Sequence, residues 1–349
     1  MLETIGYDAA TAASFAPWDT ADAVVARVMR VDRGVASLLS EGGPCRASWG
    51  GCLLADIAHD PLAAPAAGDW CVMRTWPDDR ATVEHILPRR TAVVRATSGK
   101  QAEGQVICAN VDLVGVVVSL HPLPAATKIE RLLTLAWDSG ARPVLLLTKA
   151  DLVSDAAEVA ADVREVAPGV EVIEISVVTG EGLDRVHELL SGRHTMALIG
   201  TSGHGKSTLT NALVGAEVLT TRAIRDDGRG RHTSVRRELV VLPAGGVVVD
   251  TPGLRSVGLI DVGMGLAGTF ADIEKLAAQC RFDDCAHVTE PGCTVRAALE
   301  DGTLGLRRWE SWQRLRRESA WIASRKAARL RAPRLKDARS RQRDGRRPR

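Results

Sequence analysis

The chain has 349 residues, 45 Lys and Arg against 43 Asp and Glu, a net charge of +2, and 45% apolar residues. That length accommodates two or three domains with cores of their own, and the apolar fraction is that of an ordinary globular protein. The longest apolar runs, such as LVGVVV at 113–118, fall far short of the roughly 18 residues of a membrane span. The N-terminal MLETIGYDAATAASFAP lacks a basic stretch followed by an apolar one, so no signal peptide is expected. Seven cysteines, three of them within 280–293, suggest a metal site rather than a disulfide framework. These features together predict a cytoplasmic protein without membrane association.

In chain order, residues 20–90 read as short strands between turns: AVVARVMRV (23–31), GVASLLS (34–40), PCRASWGGCLL (44–54), GDWCVMRTW (68–76) and RATVEHILP (80–88). Five such strands suit a small β-barrel of OB type, although an SH3-like barrel would read similarly. Trp18, Trp49, Trp70 and Trp76 could stack nucleic-acid bases or pack the barrel. Cys45, Cys52, Cys71 and Cys108 are expected to be packing residues.

From about residue 105 strands alternate with helices. LVGVVVSL (113–120), RPVLLLTKAD (142–151), VEVIEISVVTG (170–180), TMALIGTSG (195–203) and GGVVVDTPG (245–253) are continuous apolar strands. Amphipathic KIERLLTLAWDSG (128–140) and DAAEVAADVREVA (155–167) lie between some of them. This alternation predicts a parallel sheet covered on both faces.

The chemistry sits where those strands end. GTSGHGKST, from Gly200 through Thr201, Ser202, Gly203, His204, Gly205, Lys206 and Ser207 to Thr208, matches G-x-x-x-x-G-K-[ST] between a strand and a helix. Backbone N–H groups and the helix N-terminus would hold phosphate, Lys206 would reach the β- and γ-phosphates, and Ser207 would ligate Mg2+. DTPG adds Asp250 for Mg2+ and the Gly253 N–H for the γ-phosphate. TKAD (Thr148, Lys149, Ala150, Asp151) supplies a carboxylate that accepts from guanine N1–H and the 2-amino group. Adenine would leave that carboxylate unpaired. Ser176 and the Val177 N–H would back guanine O6. The four stretches together describe a GTP site. The base-reading motifs precede the phosphate loop, so the sheet must be circularly permuted. RDDGRGRHTSV (225–235) reads as a switch loop, with Thr233 or Ser234 reaching Mg2+ and His232 positioning water. Leu254 stands where many GTPases carry a water-orienting Gln, so unaided hydrolysis should be slow.

CRFDDCAHVTEPGC supplies Cys280, Cys285, His287 and Cys293, a closed set of three thiolates and one imidazole suited to structural Zn2+. Beyond Arg325 about a dozen Arg and Lys face Asp337 and Asp344, a run attracted to nucleic-acid phosphates.

Over about residues 20–320 the sequence resembles the RsgA (YjeQ) family of ribosome small-subunit-dependent GTPases. The resemblance rests on the permuted order, QVICANVD (105–112), GRHTS (230–234), DTPGLRS (250–256) and CRFDDCAHVTEPGCTV (280–295). The charge run marks 325–349 as a basic tail expected to be disordered. The resemblance implies an α/β protein with an N-terminal OB-type barrel (1–95), a circularly permuted P-loop GTPase domain (96–259) and a helical zinc-binding domain (260–324). It further implies a monomer that binds the 30S subunit and 16S rRNA and takes part in late 30S maturation or its checking. Its GTPase would be raised by the particle, and hydrolysis to GDP would drive its release. It assigns zinc ligation to Cys280, Cys285, His287 and Cys293. Departures are His204 where Val is usual, HTSV where HTTT is commoner, Trp in RRWESW (307–312) where Tyr is usual, and a basic extension at the C-terminus rather than the front. An RNA-binding module with a vestigial GTPase, or a P-loop ATPase or kinase, are the competing expectations. The intact Lys206, Ser207, Asp250 and Asp151 weigh against the first, and Asp151 against the second.

Overall fold

The structure, a computed structural model, describes residues 1–96, 104–219, 237–251, 253 and 263–324. The switch residues His232, Thr233 and Ser234, Leu254 and the Arg-rich tail lie outside the described residues. The chain divides into two compact units, Met1–Gly258 and Leu259–Arg349.

The first unit opens with α1 (Ala9–Phe15), whose Asp8 cap accepts from the Thr11 N–H at 2.8 Å. A barrel follows, made of β1 (Ala23–Asp32), β2 (Val35–Ser40), β3 (Gly43–Trp49), α2 (Gly51–His59), β4 (Trp70–Thr75) and β5 (Ala81–Ile86). Pairings β1–β2, β2–β3, β3–β5, β5–β4 and β4–β1 close the ring, with β3–β5 parallel and the others antiparallel. Closure leaves no free edge in these five strands. Alternate residues of β2 are buried, the period expected where one face meets a core. Ala26, Val28, Leu38, Ala47, Cys71, Met73 and Val83 fill the interior. The stretch 44–54, read above as one strand, turns at Gly50 into α2, whose Leu53 joins that interior. Glycine at the helix start ends the strand pairing, which the apolar pattern alone conceals. Cys52 consequently sits exposed on α2, whereas Cys71 and Cys108 are buried as expected.

Next comes a hairpin, β6 (Ala92–Ala96) and β7 (Gly104–Ala109), paired as a separate two-stranded sheet. The limit drawn at 95/96 falls within β6. The GTPase sheet then builds from β8 (Leu113–Ser119), α3 (Ala126–Asp138), β9 (Arg142–Thr148), α4 (Ala156–Val166), β10 (Glu171–Ile175), α5 (Leu183–Leu190), β11 (Thr195–Ile199), α6 (Lys206–Val214), β12 (Glu238–Val241) and β13 (Val247–Asp250). Its order is β10-β9-β8-β11-β13-β12, parallel except for β12. β8 and β11 are buried along their whole length, as strands covered on both faces must be. Leu113, Val117, Leu146, Ile175 and Leu198 pack with Val186, Leu189 and Leu190 of α5 and Leu209 and Leu213 of α6. By alternation Val114, Val116 and Val118 face the opposite side, where α3 lies against β8 and β9. β12 pairs with β13 on one side and with β1 at Arg30 and Glu238 on the other, so the barrel wall and the GTPase sheet are continuous. β6, β7 and β12 are not among the strands read from the sequence, and strand length is not the reason, since β10, β11 and β13 are as short as β6 and β12.

In the second unit α7 (Gly263–Thr269), α8 (Ala271–Ala277), α9 (Thr294–Glu300) and helical residues 306–324 enclose Phe270, Ile273, Val295, Trp309 and Trp312. The Arg308 guanidinium donates to both Asp272 oxygens, at 2.5 and 2.8 Å, and to the Thr269 carbonyl at 2.8 Å.

Candidate nucleotide site and metal centre

Four motifs meet at the carboxyl ends of the parallel strands, the edge where open α/β sheets bind ligands. The register aligns those ends, Ile175 beside Thr148 and Thr148 beside Ser119. On the other side Leu198 of β11 neighbours Asp250.

The phosphate loop leaves β11 at Gly200. Its φ of 153° admits no ordinary side chain, and a Cβ there would strike the Val117 carbonyl of β8. α6 begins at Lys206, with its first N–H groups at the loop. The Lys206 ammonium is buried and donates to the carbonyls of Gly200 at 3.0 Å and Thr201 at 3.1 Å. Burial holds its pKa down to about 8, against the pull of Asp250. The Ser207 hydroxyl donates to Asp250 Oδ2 at 2.8 Å, while Asp250 Oδ1 is buried with no partner. Burial raises the pKa of that carboxylate. An orphaned buried carboxylate oxygen beside a hydroxyl fits a divalent cation, so Ser207 and Asp250 are suited to Mg2+. The Thr251 hydroxyl, bonded to the Leu198 carbonyl at 2.6 Å, ties the DTPG turn to β11. Gly253 lies against the Ser202 backbone so closely that a Cβ would stand 2.6 Å from its N and Cα.

At the end of β9 the Thr148 hydroxyl donates to the His204 carbonyl at 2.7 Å, joining the base-reading turn to the phosphate loop. Lys149 takes a left-handed conformation, φ 62°, and Asp151 follows in a short 3-10 turn. The Ser176 hydroxyl donates to Asp151 Oδ1 at 2.7 Å and accepts from the Thr179 N–H at 3.2 Å. Ser176 thus orients the carboxylate that would read guanine, a part the sequence did not reveal. The Val177 side chain packs against the sheet core, leaving its backbone at the turn.

In the second unit Cys280, Cys285, His287 and Cys293 bring their ligand atoms within 4.8 Å of one another. The Cys280 and Cys293 sulfurs are 3.9 Å apart, and His287 Nδ1 lies 3.6 and 3.4 Å from them. A tetrahedron with Zn–S bonds of about 2.3 Å has edges near 3.8 Å, so the cluster fits zinc. Trp309 and Trp312, stacked at 4.8 Å, meet the His287 ring edge-on at 5.8 and 6.2 Å. Glu290 accepts from the Ala286, Val288 and Thr289 N–H groups and shapes the ligand loop.

The RsgA GTPase family model matches residues 86–260. Over 335 residues the chain is 49% identical to the small ribosomal subunit biogenesis GTPase RsgA of Streptomyces avermitilis, covering 95% of this chain and 89% of that one. The chain belongs to the RsgA GTPase family. It is 46% identical over 270 residues to RsgA 2 of Lactiplantibacillus plantarum, covering 77% of this chain and 76% of that one. The solved YjeQ of Thermotoga maritima shares its fold at a TM-score of 0.63 and 24% identity, covering 85% of this chain and 99% of that one. YloQ, described as a circularly permuted GTPase, does so at 0.59 and 22%, covering 87% and 96%. This RsgA-family member is a GTP hydrolase with a barrel and a permuted α/β sheet. GTP hydrolysis of this class proceeds with Mg2+.

The fold of this RsgA GTPase gathers Thr148, Asp151, Ser176, the loop 200–208, Asp250 and Gly253 at one sheet edge, and the four zinc-type ligands in the other unit. Thr251, and the side-chain contacts of Thr201 and His204, have no counterpart in the sequence reading. Threonines within and beside a glycine-rich motif carry no signal until their partners are known.

Proposed function

We propose that this chain binds the small ribosomal subunit in its GTP state, acts in late maturation or checking of that particle, and leaves on hydrolysis to GDP. The 49% identity with a relative named for small ribosomal subunit biogenesis carries this reading. The GTP-type edge of the sheet supports it. Asp151, braced by Ser176, reads guanine, with Lys149 along the base and the Ala150 and Val177 backbones completing the turn. Residues Gly200 to Thr208 hold the phosphates. Lys206 would exchange the carbonyls of Gly200 and Thr201 for phosphate oxygens, and Ser207 and Asp250 would hold Mg2+. Held there, Mg2+ would supply positive charge against the β- and γ-phosphates. Gly253 senses the γ-phosphate. His232 positions water, and Thr233 or Ser234 would add a ligand to the metal in the GTP state.

The barrel (1–95) and the zinc domain (260–324), with zinc on Cys280, Cys285, His287 and Cys293, supply 16S rRNA contact, joined by the basic tail (325–349). The protein acts in the cytoplasm as a monomer, and among the described residues no helix is long and apolar enough to cross a membrane. GTP turnover measured alone, with purified 30S subunits and with 50S subunits tests the proposal. Stimulation by 30S alone is expected, because Leu254 leaves the unaided enzyme without a water-orienting amide. Equal rates in all three remove the ribosomal role and leave the GTP site standing.

A further inference from the structure

His204 occupies a loop position where no imidazole is needed for phosphate binding, yet it is the most connected residue of the loop. Its Nε2 lies 2.6 Å from the Thr201 hydroxyl. Its Nδ1 lies 3.2 Å from the Val117 carbonyl and 3.3 Å from the Ser119 N–H, both at the end of β8. Its own carbonyl accepts from Thr148 at the end of β9. Three separate stretches therefore converge on one residue: the start of the loop, the end of β8 and the base-reading turn. Burial pushes the pKa of the ring down to about 4, so it is neutral at physiological pH, with one donor and one acceptor. Either tautomer satisfies both. Nδ1–H donates to Val117 while Nε2 accepts from Thr201, or Nδ1 accepts from Ser119 while Nε2–H donates to Thr201.

We propose that His204 is a positioning residue. Its side chain ties Thr201 to the end of β8 and so holds the phosphate loop in its binding conformation before nucleotide arrives. The proposal rests on the nucleotide-site assignment above. A glycine-rich loop otherwise loses backbone entropy on binding, and ordering it beforehand converts that loss into affinity. Valine at this position would fill the space but make neither bond. The tie acts on the nucleotide's phosphates and is indifferent to its base.

The test compares His204→Val, His204→Gln, Thr201→Val and the double variant His204→Val/Thr201→Val in the full chain. Kd for Mg-GDP and Mg-ATP, kcat and KM for GTP, and Tm are measured for each. Losing two neutral hydrogen bonds corresponds to about a tenfold rise in Kd for His204→Val. The rise is expected for both nucleotides by the same factor, with KM following and kcat preserved. Thr201→Val should weaken binding, and in the double variant it should add nothing to His204→Val. Gln, whose amide reaches Thr201, should recover much of the affinity. Unchanged affinity in His204→Val, additive losses, or loss without recovery by Gln at an unchanged Tm would overturn the proposal. A parent protein that prefers ATP to GTP would instead overturn the guanine assignment, and the His204 effect would still be read with ATP.

Discussion

Lys206 is a buried cation with a titration of its own. Its ammonium is buried against two carbonyls, and its pKa is held down to about 8 by burial, against about 10.4 for an unfolded lysine. Below the folded value both states hold the proton. Between the two values the unfolded chain holds a proton that the folded chain has shed, so stability from this group rises with pH across that window. The nucleotide-free protein should therefore gain Tm relative to Lys206→Met as pH is raised from 7 to 9.5. Saturating Mg-GDP should abolish that pH-dependent gain, because phosphate keeps the ammonium charged. A constant difference in Tm across the range, measured by scanning calorimetry, would show that the lysine titrates normally.

Among the elements, α8 and α9 of the second unit are seven residues each, too short to be stable by themselves. The loop between them carries all four metal-type ligands and buries little besides Cys285 and Cys293. Besides the Glu290 hydrogen bonds, a metal cross-link would order it, and the geometry fits zinc. Atomic absorption should find one zinc per chain. Cys285→Ser should lose it and reduce helical circular dichroism, and so should exhaustive chelation of the parent. Full helix content without metal would mean that Phe270, Ile273, Trp309 and Trp312 suffice as a core.

At the scale of the whole first unit, barrel and GTPase sheet are joined by a buried cation. Arg27 of β1, 1% exposed, donates to the Ile5 carbonyl, the Asn110 carbonyl at 3.0 Å, the Thr195 hydroxyl at 3.0 Å and the Gly68 carbonyl at 3.4 Å. Burial lowers its pKa to about 10, so it remains charged at neutral pH. Arg27→Met keeps the length but leaves those acceptors unpaired, at a cost of about 3–5 kcal/mol. Its urea midpoint should fall accordingly, with the barrel and the GTPase sheet unfolding together in the parent. An unchanged midpoint would mean that water replaces the guanidinium.

The sequence by itself determined the parallel strands, the phosphate loop, DTPG, the Asp151 turn, their permuted order and the Cys–His set. Each motif is local, carried by an apolar run or a spacing within some sixteen residues, and their permuted order follows from reading those local motifs along the chain. Tertiary structure decided what depends on neighbours far apart in the chain. Nothing in AVVARVMRV distinguishes Arg27, a buried hub, from Arg30, which pairs across to Glu238 on β12. The short β12 gains its place only from β1 and β13 on either side. In GTSGHGKST, His204 looks like a departure from an apolar position. Folding brings it to the end of β8, more than eighty residues away, where an imidazole finds the two hydrogen bonds that make it useful.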